Sequence, residues 1–205
     1  TLIEKLHGAG YYTATTHKLH VLPNKKFPYD EYRREMTARQ VADFAERANQ
    51  QERPWFLLYN IPAPHRPFRN SDEVEIGVDP AEVKPPGFLP DTPVIRQDWA
   101  EYLDYCEVAD RFVGEALVGL RLSGDAGNTL VIFMGDHGPG FHRSKMALND
   151  LGLRVPLAIM GPGIEGGRVS QALVSELDLM PTLLDFLEID PPKIQQDRKS
   201  TRLNS

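Results

Sequence analysis

Apolar residues recur along the chain with two different periods, and the switches between them mark out alternating helices and strands. Leu2, Ile3 and Leu6 predict a short helix over 2–9, stopped by Gly8 and Gly10 and followed by a β-prone run over 11–16. Residues 23–32 read as a turn-rich loop, and over 34–50 Met36, Val41, Phe44, Ala45 and Ala48 fall at helical spacing. Pro54 then opens the aromatic-rich apolar run 55–61, expected as a strand buried on both faces of a parallel sheet. The proline-dense stretch 62–93 is expected to be one long loop. Residues 98–122 predict the longest helix, with Trp99, Tyr102, Leu103, Cys106, Ala109, Val113, Ala116, Leu117 and Leu120 on one stripe. Segments 129–134 and 155–160 predict two further buried strands, and 177–187 a last amphipathic helix. Strands alternating with helices predict an α/β layered fold with a mostly parallel sheet.

Composition narrows the function classes. With 205 residues, 41% hydrophobic and 25% charged, the chain has the make-up of one globular domain rather than a disordered tail. No apolar run approaches the ~20 residues that cross a bilayer. The single cysteine, Cys106, excludes an internal disulfide framework and a multi-cysteine zinc site, and its place on the apolar stripe suits core packing. The net charge is −6, and the remainder is more acidic still once the basic segment 193–205 is set aside, which argues against a nucleic-acid partner. That segment is polar and aperiodic and is expected to lie outside the fold. The chain starts at Thr1 without a signal-peptide pattern, and both ends read as cut, so a fragment is expected.

Candidate chemistry gathers at two strand ends, where open α/β sheets place their sites. One is Asn60-Ile-Pro-Ala-Pro-His65-Arg66-Pro67-Phe68; the other is Gly135-Asp136-His137-Gly138-Pro139-Gly140. Flanking glycines let Asp136 and His137 reach one point, and a carboxylate beside an imidazole suits a divalent metal ion; the alternative is a plain turn with an exposed His. His65, held between prolines beside Arg66, suits anion binding or proton donation, or is merely exposed. Lys18 and His20 share a face if their segment is extended, and His142 and Lys145 align if theirs is helical; a solvated turn is the alternative for both.

Taken together these segments resemble the type I sulfatases of the alkaline phosphatase superfamily. The stretch ending in Lys18-x-His20 is similar to that family's Gly-Lys-x-His segment, with His17 in place of the glycine. Residues 54–68 resemble its strand leading into Pro-His-x-Pro, and 124–138 its buried strand ending in Asp-His-Gly. Lys145 followed by Arg154-Val-Pro resembles the family's lysine and Arg-Val-Pro, and 178–185 its late helix. The run Gly138-Pro-Gly-Phe-His-Arg143 further resembles the heparan N-sulfatase-like branch. The resemblance implies an alkaline phosphatase-like α/β/α sandwich, incomplete here, with residues 1–192 as part of a catalytic domain. It implies Asp136 and His137 as ligands of one divalent metal, Ca²⁺ by family habit, although a hard cation prefers oxygen donors to the His137 nitrogen. It implies that Lys18 and Lys145 hold sulfate oxygens, that His20 contacts the nucleophile, and that His65 faces the ester oxygen.

The family nucleophile is a formylglycine made within a Cys/Ser-x-Pro/Ala-x-Arg segment. No such segment occurs in the chain, so the resemblance places it upstream of Thr1 together with further metal-binding aspartates. The expected activity is hydrolysis of carbohydrate or aryl sulfate esters, or of N-sulfo groups, by the full-length enzyme, in an extracytoplasmic compartment. Two other readings stand beside it: a phosphodiesterase or phosphonate hydrolase of the same superfamily, and a non-catalytic relative that binds sulfated glycans.

Overall fold

The computed structural model describes residues 1–68 and 77–190. The segment 193–205, expected to lie outside the fold, falls outside the described residues. The chain opens with helix α1 (Leu2–Gly8), capped by Thr1 and Glu4 in a capping box, and runs into strand β1 (Tyr12–Thr16). Strand β2 (Glu31–Arg33) follows, then helix α2 (Ala38–Gln50), whose Thr37 and Gln40 form a second capping box, and strand β3 (Trp55–Leu58). Helix α3 (Pro93–Ser123) starts from the Thr92 cap, with proline at its first position, and ends at Gly124, whose φ of 83° is left-handed. Strand β4 (Val131–Met134), the short helix α4 (Asp150–Leu153), strand β5 (Leu157–Met160) and helix α5 (Glu176–Phe186) complete the order.

Strands β2, β1 and β3 form a parallel sheet in that order, with Ala14 opposite both Glu31 and Leu57. Helix α2 covers this sheet: Ala14, Met36, Val41 and Phe44 form the buried cluster, flanked by Tyr12, Trp55, Leu57 and Tyr59. Phe44 stacks on Tyr12 and meets Trp55 edge to face. Helix α3 crosses α2 closely because Gly119 has no side chain; a Cβ there would lie 2.6 Å from the Ala38 carbonyl. Asp125, just past α3, accepts the Trp55 indole N–H and the Asn49 amide, at 2.8 and 3.1 Å, fastening the ends of both helices to β3.

Several expectations change. The loop expected over 23–32 ends in β2, which pairs with β1 although its outward residues are polar. The strand expected over 55–61 stops at Leu58 and is half-buried, because the Tyr59 hydroxyl turns to donate to Met36 and Asn60 turns to the end of β1. The long helix starts at Pro93 rather than 98, and its deepest positions are Ala100, Asp104, Val108, Gly119 and Leu120. Of the predicted stripe only Leu120 is buried, since close contact with α2 falls where side chains are small. The parallel arrangement holds for β1–β3, but β4 and β5 run antiparallel as a separate pair, with Val131 opposite Met160. Strand β5 is exposed along its length rather than buried, its hydrogen bonds going to β4. Among the described residues no helix is long and apolar enough to cross a membrane.

Charged ties lock β2 in place. Glu31 accepts Arg47 at 2.9 and 3.0 Å and the Tyr12 hydroxyl at 2.8 Å. Burial works to raise the Glu31 carboxyl, but hydrogen bonds from Arg47, Tyr12 and Arg33 outweigh it and hold it below its ordinary value. Asp30 behaves alike: burial is outweighed by the Thr13 amide and hydroxyl and by Arg53. Carboxyls whose values are depressed in the folded state stabilise it above their unfolded values and lose that effect as pH falls through the folded ones. Arg47→Met is therefore expected to cost about 1–2 kcal/mol near neutral pH in urea denaturation. The cost should shrink as pH drops below the ordinary glutamate value of 4.5.

Candidate active site

Because β1 and β3 are parallel neighbours, their carboxyl ends open at one rim, and the segments after Thr16 and after Leu58 leave the sheet side by side. Asn60 ties them together. Its side-chain amide donates to Thr15 Oγ1, the Thr16 carbonyl and the Lys18 carbonyl at 3.2, 3.0 and 2.9 Å, and its own carbonyl accepts the Thr16 hydroxyl. His17 turns the chain here with a left-handed φ of 50°, the conformation that suits the glycine of the resembled motif. Its amide donates to Arg33 and its carbonyl accepts the Tyr32 hydroxyl, while its Nδ1 is buried without a hydrogen-bond partner among the described residues.

The segment after β3 is fastened to the segment after β4. Lys145 Nζ lies 3.4 Å from His65 Nε2. His65 Nδ1 lies 2.6 Å from the Arg66 carbonyl, which can only accept, so Nδ1 carries a proton and Nε2 is the nitrogen turned toward the lysine. Arg66 itself is fully occupied. Its Nη1 and Nη2 meet both Asp98 oxygens at 2.8 and 2.6 Å, its Nε donates to the Gly140 carbonyl at 2.6 Å, and its plane lies over Phe68 and Phe141. Asp98 thus neutralises the guanidinium beside His65, so Arg66 adds no free charge there. Phe68, Trp99, Tyr102 and Phe141 pack ring on ring beneath, joining both loops to α3. Cys106 sits in this packing; burial raises its thiol, as suits a core cysteine.

The segment carrying Lys145 is a tightly folded knot. Ser144 is fully buried and donates to the Leu151 carbonyl at 2.8 Å, and the Gly138 amide donates to the Gly152 carbonyl at 3.1 Å. Glycine is required at both 138 and 152: a Cβ on Gly138 would strike the Leu151 carbonyl, and one on Gly152 the Ala147 carbonyl. Asn149 caps α4 by accepting the Leu151 and Gly152 amides. The knot holds Lys145 half-buried while leaving Met146 and Leu148 exposed. His142 is exposed, and its segment is a turn with a left-handed φ of 61° at Arg143 rather than the helix that would align it with Lys145.

Asp136 and His137 stand at the end of β4, as the sequence pattern suggests. His137 Nδ1 is 2.7 Å from the Gly138 carbonyl and so carries the ring proton, leaving the Nε2 lone pair 3.5 Å from Asp136 Oδ2. Two such donor atoms at that separation can chelate one divalent ion at about 2.0–2.6 Å from each, and a backbone carbonyl orienting the ring is the usual support of a metal-bound histidine. The pair thus fits a divalent ion; among the described residues no third His, Cys, Asp or Glu joins them. Of the six predicted residues, the structure joins His65 to Lys145 and Asp136 to His137. Lys18 is tied to the rim by its backbone, and the side chains of Lys18 and His20 are exposed. Asp98 and Ser144, which help order the rim, escaped sequence reasoning; Asn60 and Gly152 stood within the segments singled out, but without these roles.

The sequence model of the Sulfatase family matches residues 1–189. Human N-sulphoglucosamine sulphohydrolase is 31% identical over 221 residues, covering 91% of the chain and 44% of that relative. Bovine arylsulfatase K is 38% identical over 103 residues, 48% of the chain and 19% of that relative. The chain therefore spans less than half the length of these curated relatives. The crystal structure of the lipoteichoic acid synthase LtaP from Listeria monocytogenes shares the fold with a TM-score of 0.62 at 22% identity, over 93% of the chain and 53% of that structure. Gly138→Ala is expected to cost about 2–3 kcal/mol in urea denaturation through its clash with Leu151. Gly114→Ala, which meets open space on α3, should raise stability by about 0.5–1 kcal/mol.

Proposed function

The chain belongs to the sulfatase family, and on that basis we propose that it carries the anion- and metal-binding loops of an enzyme hydrolysing sulfate esters or N-sulfo groups of carbohydrate or aryl substrates. The observation that carries this reading is the 3.4 Å approach of Lys145 Nζ to His65 Nε2, two nitrogens from loops 80 residues apart. With Nε2 of the neutral ring accepting from the ammonium, the pair presents one net positive charge and a second ring nitrogen at the meeting point of two loops, which suits an anion beside them. The similarity to N-sulphoglucosamine sulphohydrolase favours a sulfated amino sugar as the substrate.

In this reading Lys145 and Lys18 bind the sulfate oxygens and His20 lies by the nucleophile, a formylglycine expected upstream of Thr1. His65 serves the leaving group. As the bond from sulfur to the leaving atom breaks, its electron pair stays with that atom, which takes the Nε2 proton of a His65 ring that has picked up a second proton on binding the sulfate anion, while the Lys145 ammonium offsets the developing charge. Nδ1 keeps its own proton on the Arg66 carbonyl throughout, so the ring cannot present the wrong nitrogen. Asp136 and His137 hold one divalent ion, Ca²⁺ by family habit, which when bound supplies Lewis-acid stabilisation of sulfate charge. Residues 1–192 form part of the catalytic domain, and the compartment is extracytoplasmic, as family resemblance suggests.

Two outcomes test the reading. Asp136→Ala in the full-length enzyme should lose bound metal, measured by elemental analysis, and sulfatase activity together; metal retained at the wild-type level would remove Asp136 from the ligand set. Purified residues 1–205, which contain no formylglycine segment, should leave an aryl sulfate intact. Steady turnover by this chain would show that the nucleophile is a different residue.

A further inference from the structure

We infer that Arg66, through its pairing with Asp98, is the positioning residue that holds the His65 imidazole against Lys145. This rests on the reading of His65 and Lys145 as an active-centre pair and adds the part that sets their separation.

One residue makes two kinds of connection. Its carbonyl accepts His65 Nδ1–H, so the orientation of its peptide decides which ring nitrogen faces the lysine. Its guanidinium reaches outward from the same backbone to two other parts of the fold. Both terminal nitrogens grip Asp98 on α3, and Nε grips the Gly140 carbonyl, five residues before Lys145. Phe68 and Phe141 hold the guanidinium plane at 4.2 and 4.8 Å. The loop bearing His65 and the loop bearing Lys145 are thereby referred to one rigid helix through one planar fork. Lysine has no such plane, and its three N–H donors sit on one nitrogen, so it cannot span both Asp98 oxygens and the Gly140 carbonyl in this geometry.

The partners of this pairing are 41% and 27% exposed, a setting in which an ion pair contributes modestly to global stability. Its geometry is instead specific in direction and distance. A displacement of about 1 Å at a reacting group costs on the order of 100-fold in rate, so a fork that fixes two loops has its main effect on turnover.

Ring-nitrogen NMR of the histidines in the purified chain, with His65 assigned by His65→Gln, reads the geometry without any substrate. The wild type should show His65 protonated at Nδ1 and bare at Nε2. Arg66→Met and the nearly isosteric Asp98→Asn should each shift the ring toward the Nε2–H tautomer, with melting temperatures within about 2 °C of wild type. Arg66→Lys should not restore the wild-type spectrum. In the full-length enzyme each variant should lower kcat by about 100-fold with KM changed less than about threefold, and the double variant should be no worse than either single. An unchanged His65 tautomer in both variants would overturn the inference, as would full turnover in a variant whose tautomer has shifted. A wild-type enzyme that does not hydrolyse sulfate would defeat the proposed function, and the ring-nitrogen spectra would still decide the role of Arg66.

Discussion

Parallel pairing of β1 with β3 is the constraint from which the rest of the site follows. Parallel neighbours deliver their carboxyl ends to the same rim, so the segment bearing Lys18 and the segment bearing His65 start out adjacent although more than forty residues separate them. Asn60 turns adjacency into a fixed relation, spending its side-chain amide on three acceptors of the neighbouring strand end. The β4 loop belongs to a different sheet and is brought to the rim by side chains instead, through Arg66 and the aromatic packing on α3.

Both histidines at the rim are oriented by the same device. Each presents Nδ1 to the carbonyl of the residue that follows it, Arg66 for His65 and Gly138 for His137, and each leaves Nε2 for its partner. A neutral imidazole donates from one nitrogen only, so a nearby carbonyl settles which nitrogen is available for chemistry. The two partners differ, an ammonium for one ring and a carboxylate for the other, and this difference separates a group facing an anion from a group facing a cation.

Much of this was legible in the residues, and the gaps have physical causes. The helices near 2–9, 34–50, 98–122 and 177–187 were visible because their apolar periodicity is strong, and capping pairs such as Thr37 with Gln40 refine where they start. Strand β2 was hidden because Glu31, Tyr32 and Arg33 carry no apolar alternation; its place is set by parallel pairing with β1 and by Arg47, 16 positions further on, relations that periodicity does not encode. The antiparallel direction of β5 was hidden for a related reason, since an apolar run states that a strand exists and not which way its neighbour runs. At the site, the motif residues were found by type and spacing. Their supports were not: Asp98 reads as an ordinary helix-surface acid until the fold brings Arg66 to it, and Ser144 reads as a polar turn until Leu151 covers it.

The two tryptophans occupy very different surroundings. Trp55 donates its indole N–H to Asp125 at the junction of α2, β3 and the turn after α3, whereas Trp99 lies in the ring cluster beneath the candidate site. Intrinsic fluorescence of this chain is therefore the sum of two separable signals. A single-tryptophan version that keeps Trp55 watches the helix-covered sheet come apart, and one that keeps Trp99 watches the loops lift from the helix. Comparing them reveals whether the binding rim loosens before the body of the fold does.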